Sequence, residues 1–261
     1  MLAQWINAAW YLDLAATVAL ITNLVINRLY LVYRSFFAYL AVDAAQSVIG
    51  LTIRSNRKFY TQFYVFSQPV KLALALFVIV ELYRVALARH PALARFAQQT
   101  VGYTLGAAAV GALSLVMLDS SVPSGRSPVL HRLNSFERTM DVWMLFFLLA
   151  ICVFMTWFPA RLTRNGVLYI AGFVVYFLSR ATGLLLTNLA PRFKNPFDLA
   201  MLTVSLACLI TWLVALRRDG ERSTVVTGHR WDAKRMDRLT SRLDSINSRL
   251  LGLSRPKFKG K

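Results

Sequence analysis

Long apolar stretches dominate this sequence and constrain its fold more than any other feature. A helix that crosses a bilayer needs about 20 mostly apolar residues, and its backbone amides must be hydrogen-bonded within the segment. Of the 261 residues, 57% are hydrophobic and only 16% are charged, whereas soluble domains carry about 25% charged residues. These proportions exclude an ordinary soluble enzyme, a disulfide scaffold and a disordered chain. They predict an all-α, polytopic membrane protein.

The apolar stretches predict seven membrane-spanning helices. Their expected bounds are residues 5–27, 35–53, 62–88, 97–118, 139–158, 166–188 and 197–216. The second stretch is the weakest, because Asp43, Gln46 and Ser47 interrupt it. Without that stretch the chain would have six spans, and both termini would lie on one side of the membrane.

A basic tail, residues 217–261, is predicted to follow a bundle formed by residues 1–216. The tail has 13 basic and 5 acidic residues. The loops alone do not decide the orientation, but so many basic residues directly after the last span favour a cytoplasmic C-terminus and an outside N-terminus. The tail is also expected to attract the anionic lipids of the inner leaflet. Since that attraction explains its charge, no nucleic-acid binding is expected.

A helix is predicted within the tail at about residues 231–253. Apolar residues recur there at alternating spacings of three and four, which is typical of a helix with one apolar seam. The seam consists of Met236, Leu239, Leu243, Ile246, Leu250 and Leu253. It fits either a short coiled coil or an amphipathic helix lying on the membrane. We therefore expect the tail to form a homo-oligomer, bind a cytoplasmic protein or contact lipid.

Ionisable residues inside the predicted spans mark candidate sites, because charges are costly in a bilayer. Five are expected toward the outer face, on a ligand or ion pathway: Asp13, Lys71, Arg180, Asp141 and Asp198. Asp13 and Lys71 lie at similar depth and could pair. Tyr176, Ser179 and Thr182 could complete an outward-facing polar cavity. The alternative is that Lys71 and Arg180 each pair with one carboxylate and only hold helices together.

A second polar group is expected in the inner half of the bundle and contains Asp43, Gln46, Glu81 and Arg84. Glu81 and Arg84 are three residues apart on one helix, so they share a face and are predicted to form a structural ion pair. Asp43 has no local partner. It should therefore face the bundle interior, which makes it a further candidate for the ligand or ion pathway.

Motifs for catalysis, metal binding or cofactor binding are missing from the sequence. His90, His131 and His229 all fall outside the predicted spans, which argues against haem held between helices and against an intramembrane protease. Cys152 and Cys208 lie in apolar stretches without metal-ligand spacing. We expect a non-enzymatic protein with no cofactor and no metal.

Three short stretches carry a resemblance to a known family. They are YRSFFAYL at 33–40, FYV at 63–65 and VELYR at 80–84. Together they resemble a family of bacterial seven-helix integral membrane proteins, uncharacterised in function, which have an aromatic FFxYL-type stretch. The resemblance covers roughly the first 90 residues. It implies a multi-pass protein of the bacterial cytoplasmic (inner) membrane and carries no activity.

Two functions compete most strongly. The first is a sensor or scaffold whose bundle binds something from outside or from the lipid and whose tail contacts a partner. The second is a small-solute or ion transporter that uses the intramembrane charges, in which Asp43→Asn or Lys71→Met would abolish flux. A lipid-modifying enzyme is less favoured, because no histidine and carboxylate are placed to act together. We predict the sensor or scaffold, since transporters of this size often show an internal repeat and none is detected.

Overall fold

The computed structural model describes residues 2–53, 57–87, 91–118, 128–157, 160–189, 194–227, 238, 241–242 and 244–249. These residues are nearly all helical, which confirms the all-α class. Within them lie seven helices of 20 residues or more: α1 (Leu2–Ile26), α2 (Arg34–Ile53), α3 (Arg57–Ala86), α4 (Pro91–Leu118), α5 (Pro128–Trp157), α6 (Arg164–Leu189) and α7 (Lys194–Ala215). Each overlaps one predicted span.

Six of these helices contain a segment long and apolar enough to cross a membrane, so the chain is a membrane protein. The segments lie in α1, α2, α3, α5, α6 and α7. The second predicted span is among them, despite its polar residues. Helix α4 is not among the six found in the described part of the chain.

The six apolar helices pack as a closed ring. Around this ring α1 contacts α2, α2 contacts α3, α3 contacts α5, α5 contacts α6, α6 contacts α7, and α7 returns to α1. Helix α4 packs outside the ring, against α3 and α5. The end at which α1, α3, α5 and α7 begin is called the open end below, and the opposite end is called the strand end.

The strand end contains the small non-helical part of the fold. Strand β1 (Ala160–Thr163) precedes α6, and strand β2 (Thr224–Thr227) pairs with it in antiparallel fashion. A short helix, α8 (Arg218–Arg222), precedes β2. Residues 217–227, which the sequence assigned to the soluble tail, therefore pack against the bundle. This sheet was not predicted, because four-residue strands are too short to show a period.

The predicted tail helix is described only in pieces. Residues 238, 241–242 and 244–249 are helical, and Ile246 is exposed. The other residues of the predicted apolar seam lie outside the described residues: Met236, Leu239, Leu243, Leu250 and Leu253. Dimerisation and lipid contact through the seam therefore stay predictions.

An aromatic layer fills the ring between its middle and the strand end. Phe36, Tyr169, Phe173 and Trp212 are all buried. Phe36 contacts the other three rings at centroid distances of 5.0–5.3 Å. The Trp212 ring lies so close to Gly172 that a Cβ there would overlap it, and its Nε1 donates to the Leu168 carbonyl at 3.3 Å. Gly172 thus allows α6 and α7 to approach closely.

Candidate functional site

A cavity of about 440 Å³ lies in the half of the ring nearer the open end. Every ring helix contributes one charged residue to its wall: Asp13 from α1, Asp43 from α2, Lys71 from α3, Glu137 from α5, Arg180 from α6 and Asp198 from α7. Ligand sites commonly have volumes of about 300–1,000 Å³ with a few convergent polar groups. This cavity meets both conditions and is the candidate functional site.

Lys71 and Asp43 form an ion pair across the α2–α3 contact. The Lys71 ammonium donates to Asp43 Oδ1, and the two side chains are only 16% and 20% exposed. The ammonium also lies 5.7 Å from the centre of the Tyr39 ring, within the range of a cation–π interaction. Lys71 is therefore held from two sides.

The pairing of Lys71 with Asp13 that the sequence suggested is not formed. Asp13 is an electrostatic neighbour of Lys71 in the same cavity, but helix α2 lies between α1 and α3 in the ring. Asp43 was expected in the inner half of the bundle, with Glu81 and Arg84. Asp43 lies near the middle of α2 and lines the cavity, where it meets Lys71 on the adjacent helix.

Arg180 joins α6 to α5 through two carboxylates. Its Nε donates to Asp141 Oδ2 at 3.0 Å, and its terminal nitrogen donates to Glu137. Glu137 also accepts hydrogen bonds from Gln68 at 2.7 Å and from Tyr64 at 3.2 Å. Asp141 lies behind the wall, with its side chain 2% exposed. The five side chains form one network among α3, α5 and α6.

The sequence did not predict Glu137, Gln68 and Tyr64 as residues of the site. Glu137 falls outside the predicted fifth span, because the fifth apolar stretch begins at residue 139. Helix α5 begins about three turns earlier, at Pro128, and carries Glu137 into the bundle. The spacing of Glu137 and Asp141, four residues apart on one helix, was the available signal, since such residues share a face.

The remaining predicted site residues divide between the cavity and other places. Asp13 accepts a hydrogen bond from Ser205 at 3.2 Å, and Asp198 lines the cavity. Of the polar residues expected nearby, Tyr176 lines the cavity. Ser179 donates to the Tyr176 carbonyl at 2.8 Å, and Thr182 is exposed.

The predicted ion pair of Glu81 with Arg84 is present toward the strand end. Its nitrogen–oxygen distance is 3.5 Å, with Glu81 4% and Arg84 51% exposed. Glu81 also accepts hydrogen bonds from the Tyr169 hydroxyl at 3.1 Å and from the Ser35 backbone amide at 2.9 Å. Because Ser35 lies in the first turn of α2, the carboxylate also meets the positive end of that helix.

A second polar network fixes the start of the tail at the strand end. Tyr33 donates to Glu221 of α8 at 2.6 Å. Asn165 donates to the same carboxylate at 2.9 Å and to the Arg217 carbonyl at 2.8 Å. Burial first, and then the hydrogen bond to Glu221, raise the pKa of Tyr33, so the phenol keeps its proton and acts as the donor.

Aromatic side chains connect the cavity with this network. Tyr176 lines the cavity and contacts Phe173 at a centroid distance of 6.3 Å. Phe173 contacts Tyr169 at 5.1 Å, and Tyr169 contacts Tyr33 at 4.7 Å. Tyr33 then reaches Glu221 through its hydroxyl. This aromatic column, formed by Tyr176, Phe173, Tyr169 and Tyr33, spans the distance from cavity to tail without a break.

Among the described residues, no group of three or more histidine, cysteine and acidic side chains is arranged to hold a metal ion. Comparisons with protein-family models, with curated proteins and with solved structures found no match. The geometry of the cavity and of the strand end therefore has to support any functional proposal.

Proposed function

We propose that the protein is a seven-helix membrane sensor that binds a small solute in the cavity and responds through its cytoplasmic tail. One observation carries this proposal: each ring helix supplies one charged residue to a single cavity. A ligand that changes how these charges pair alters the free energy of the helix contacts around the ring. Only such a differential interaction can shift a conformational equilibrium.

The basic tail supports an outward-facing cavity. Basic residues lie at both ends of the helices, for example Arg34 and Arg84 at the strand end and Lys194 at the open end. The balance is decided by the 13 basic residues of the tail, which begins at the strand end with Arg217. Basic residues concentrate on the cytoplasmic side of membrane proteins. This orientation places the N-terminus and the cavity outside, in the cytoplasmic membrane of a bacterium.

Connectivity supports α4 as a seventh span. Helix α3 ends at the strand end, and α5 begins at the open end, so the chain has to return across the membrane between them. The 28 residues of α4 give a length of about 42 Å at about 1.5 Å per residue. That length exceeds the roughly 30 Å of the hydrocarbon core.

The aromatic column supports transmission from the cavity to the tail. It is a continuous series of packed rings between Tyr176 and the Tyr33–Glu221 hydrogen bond. Energetic coupling travels through such packed networks when they have two arrangements, and it must be measured rather than assumed. The same filled layer weakens the transporter alternative, because a solute leaving at the strand end would have to displace buried rings.

Hydrogen exchange in the full-length protein, reconstituted in nanodiscs, tests the coupling. Lys71→Met removes the cation of the Lys71–Asp43 pair without touching the strand end. We expect this variant to change the exchange rates of amides in residues 217–227. Asn165→Ala removes two hydrogen bonds to residues 217–227 directly. Its change in exchange rate shows how large the response of this segment can be.

The matched control is Arg138→Met, an exposed position on α5 that should leave exchange in residues 217–227 unchanged. If Lys71→Met folds normally and also leaves this segment unchanged, the cavity and the tail are not coupled, and the sensor proposal is wrong. Solute flux into proteoliposomes that disappears in both Asp43→Asn and Lys71→Met would instead establish the transporter.

A further inference from the structure

Carboxylates outnumber cations around the cavity, and this excess of negative charge indicates the charge of the ligand. Its wall holds four carboxylates and two cations: Asp13, Asp43, Glu137 and Asp198 against Lys71 and Arg180. Asp141, which bonds to Arg180 from behind the wall, adds a fifth carboxylate. We infer that the ligand is a small organic cation with an ammonium group, an inference that rests on the proposed role of the cavity in ligand binding.

Both cations of the cavity are already engaged with carboxylates. Lys71 is paired with Asp43, and Arg180 is paired with Glu137 and Asp141. An anionic ligand would have to separate one of these pairs and then lie among the remaining carboxylates. The charges of the cavity therefore disfavour binding of an anion.

The Asp13 carboxylate is available to a cationic ligand. Among the described residues its carboxylate accepts one hydrogen bond, from Ser205, and it makes no ion pair. Asp198, on the adjacent helix α7, also forms no ion pair with a described residue. Carboxylates away from bulk water are unfavourable unless a cation compensates them. A bound ammonium between α1 and α7 would supply that compensation and could donate to Asp13.

The aromatic side chains of the cavity favour an organic ammonium over a hydrated metal ion. Trp10, Tyr60, Phe63 and Tyr64 line it beside the acidic residues. Aromatic faces attract alkylammonium groups through their quadrupole and also contact the attached carbon chain. A volume of about 440 Å³ accommodates an amine with several carbons. Oxygen ligands alone, without aromatic rings, would suit a metal ion better.

Three four-carbon probes test the charge of the ligand while holding its size constant. They are putrescine, which is a dication, 1,4-butanediol, which is neutral, and succinate, which is a dianion. Thermal melting of the purified full-length protein is measured with each probe at constant ionic strength. We expect putrescine to raise the melting temperature in a saturable manner and the other two probes to leave it unchanged.

Two variants and a control place the binding in the cavity. Asp13→Asn keeps the shape of the side chain and removes its charge, and it should weaken the apparent affinity for putrescine at least tenfold. Asp198→Asn should weaken it as well and provides a second test if the first variant folds poorly. Asp219→Asn, an exposed carboxylate on α8, should bind putrescine as the wild type does.

Stabilisation by succinate or butanediol without stabilisation by putrescine would overturn the inference but leave ligand binding by the cavity intact. Equal stabilisation by sodium or potassium chloride at the same charge concentration would overturn the organic nature of the ligand. Absence of any stabilisation by putrescine would overturn the inference that the ligand is an organic cation. If putrescine binds through Asp13 but exchange in residues 217–227 does not respond, the inference holds and the sensor proposal fails.

Discussion

Replacement of Arg180 by methionine is expected to destabilise the bundle strongly. The guanidinium makes hydrogen bonds to Asp141 and Glu137, which lie four residues apart on the same face of α5. Methionine keeps much of the side-chain volume but removes the charge and every donor. The two carboxylates would then lie on the same face of α5 with no cation between them.

The expected loss of unfolding free energy is about 3 kcal/mol. Breaking a buried ion pair by removing one partner costs about 3–5 kcal/mol, because the charge left behind is uncompensated. Asp141 is only 2% exposed and should contribute fully to this cost. Glu137 is 10% exposed at the cavity wall and keeps hydrogen bonds from Gln68 and Tyr64, so we expect the lower end of the range.

Reversible unfolding in mixed micelles, with increasing fractions of sodium dodecyl sulfate, measures this free energy. Arg138→Met, at an exposed position of α5, should change the unfolding free energy by no more than about 0.5 kcal/mol. Adding Asp141→Asn to Arg180→Met should recover most of the loss, because it removes the more deeply buried charge. Equal stability of Arg180→Met and Arg138→Met would contradict this prediction. So would a double variant, Arg180→Met with Asp141→Asn, that recovers none of the lost unfolding free energy.

Two further predictions concern helix packing and the tail. Gly172→Ala places a methyl group against the Trp212 ring and should destabilise the protein by about 1–3 kcal/mol. Gly102 faces open space, so Gly102→Ala should not destabilise the protein. Thermal melting of the two variants checks this difference. Leu243→Asp should abolish self-association or partner binding in native mass spectrometry. Ser245→Asp, on an exposed position of the same predicted helix, is its control, and equal behaviour of the two variants would contradict the predicted apolar seam.

Local spacing and the physics of the bilayer determined much of this protein from the sequence alone. Six helices that are apolar enough to cross a membrane lie where apolar stretches were predicted, because a backbone in lipid has to satisfy its hydrogen bonds within each segment. The Glu81–Arg84 pair followed from a spacing of three on one helix. Asp13, Lys71, Arg180 and Asp198 were expected on one outward-facing pathway and line one cavity, whereas Asp141, expected with them, lies behind its wall.

The tertiary structure alone decided which of these residues meet. Lipid is as apolar as the interior of a bundle, so the order of helices around a ring leaves little trace in the hydrophobic pattern. Asp43 rather than Asp13 pairs with Lys71 because α2, not α1, adjoins α3. Glu137 reaches Arg180 because α5 extends beyond its apolar stretch. Residues 224–227 pair with residues 160–163 across the chain, a contact too distant in sequence for any local pattern to encode.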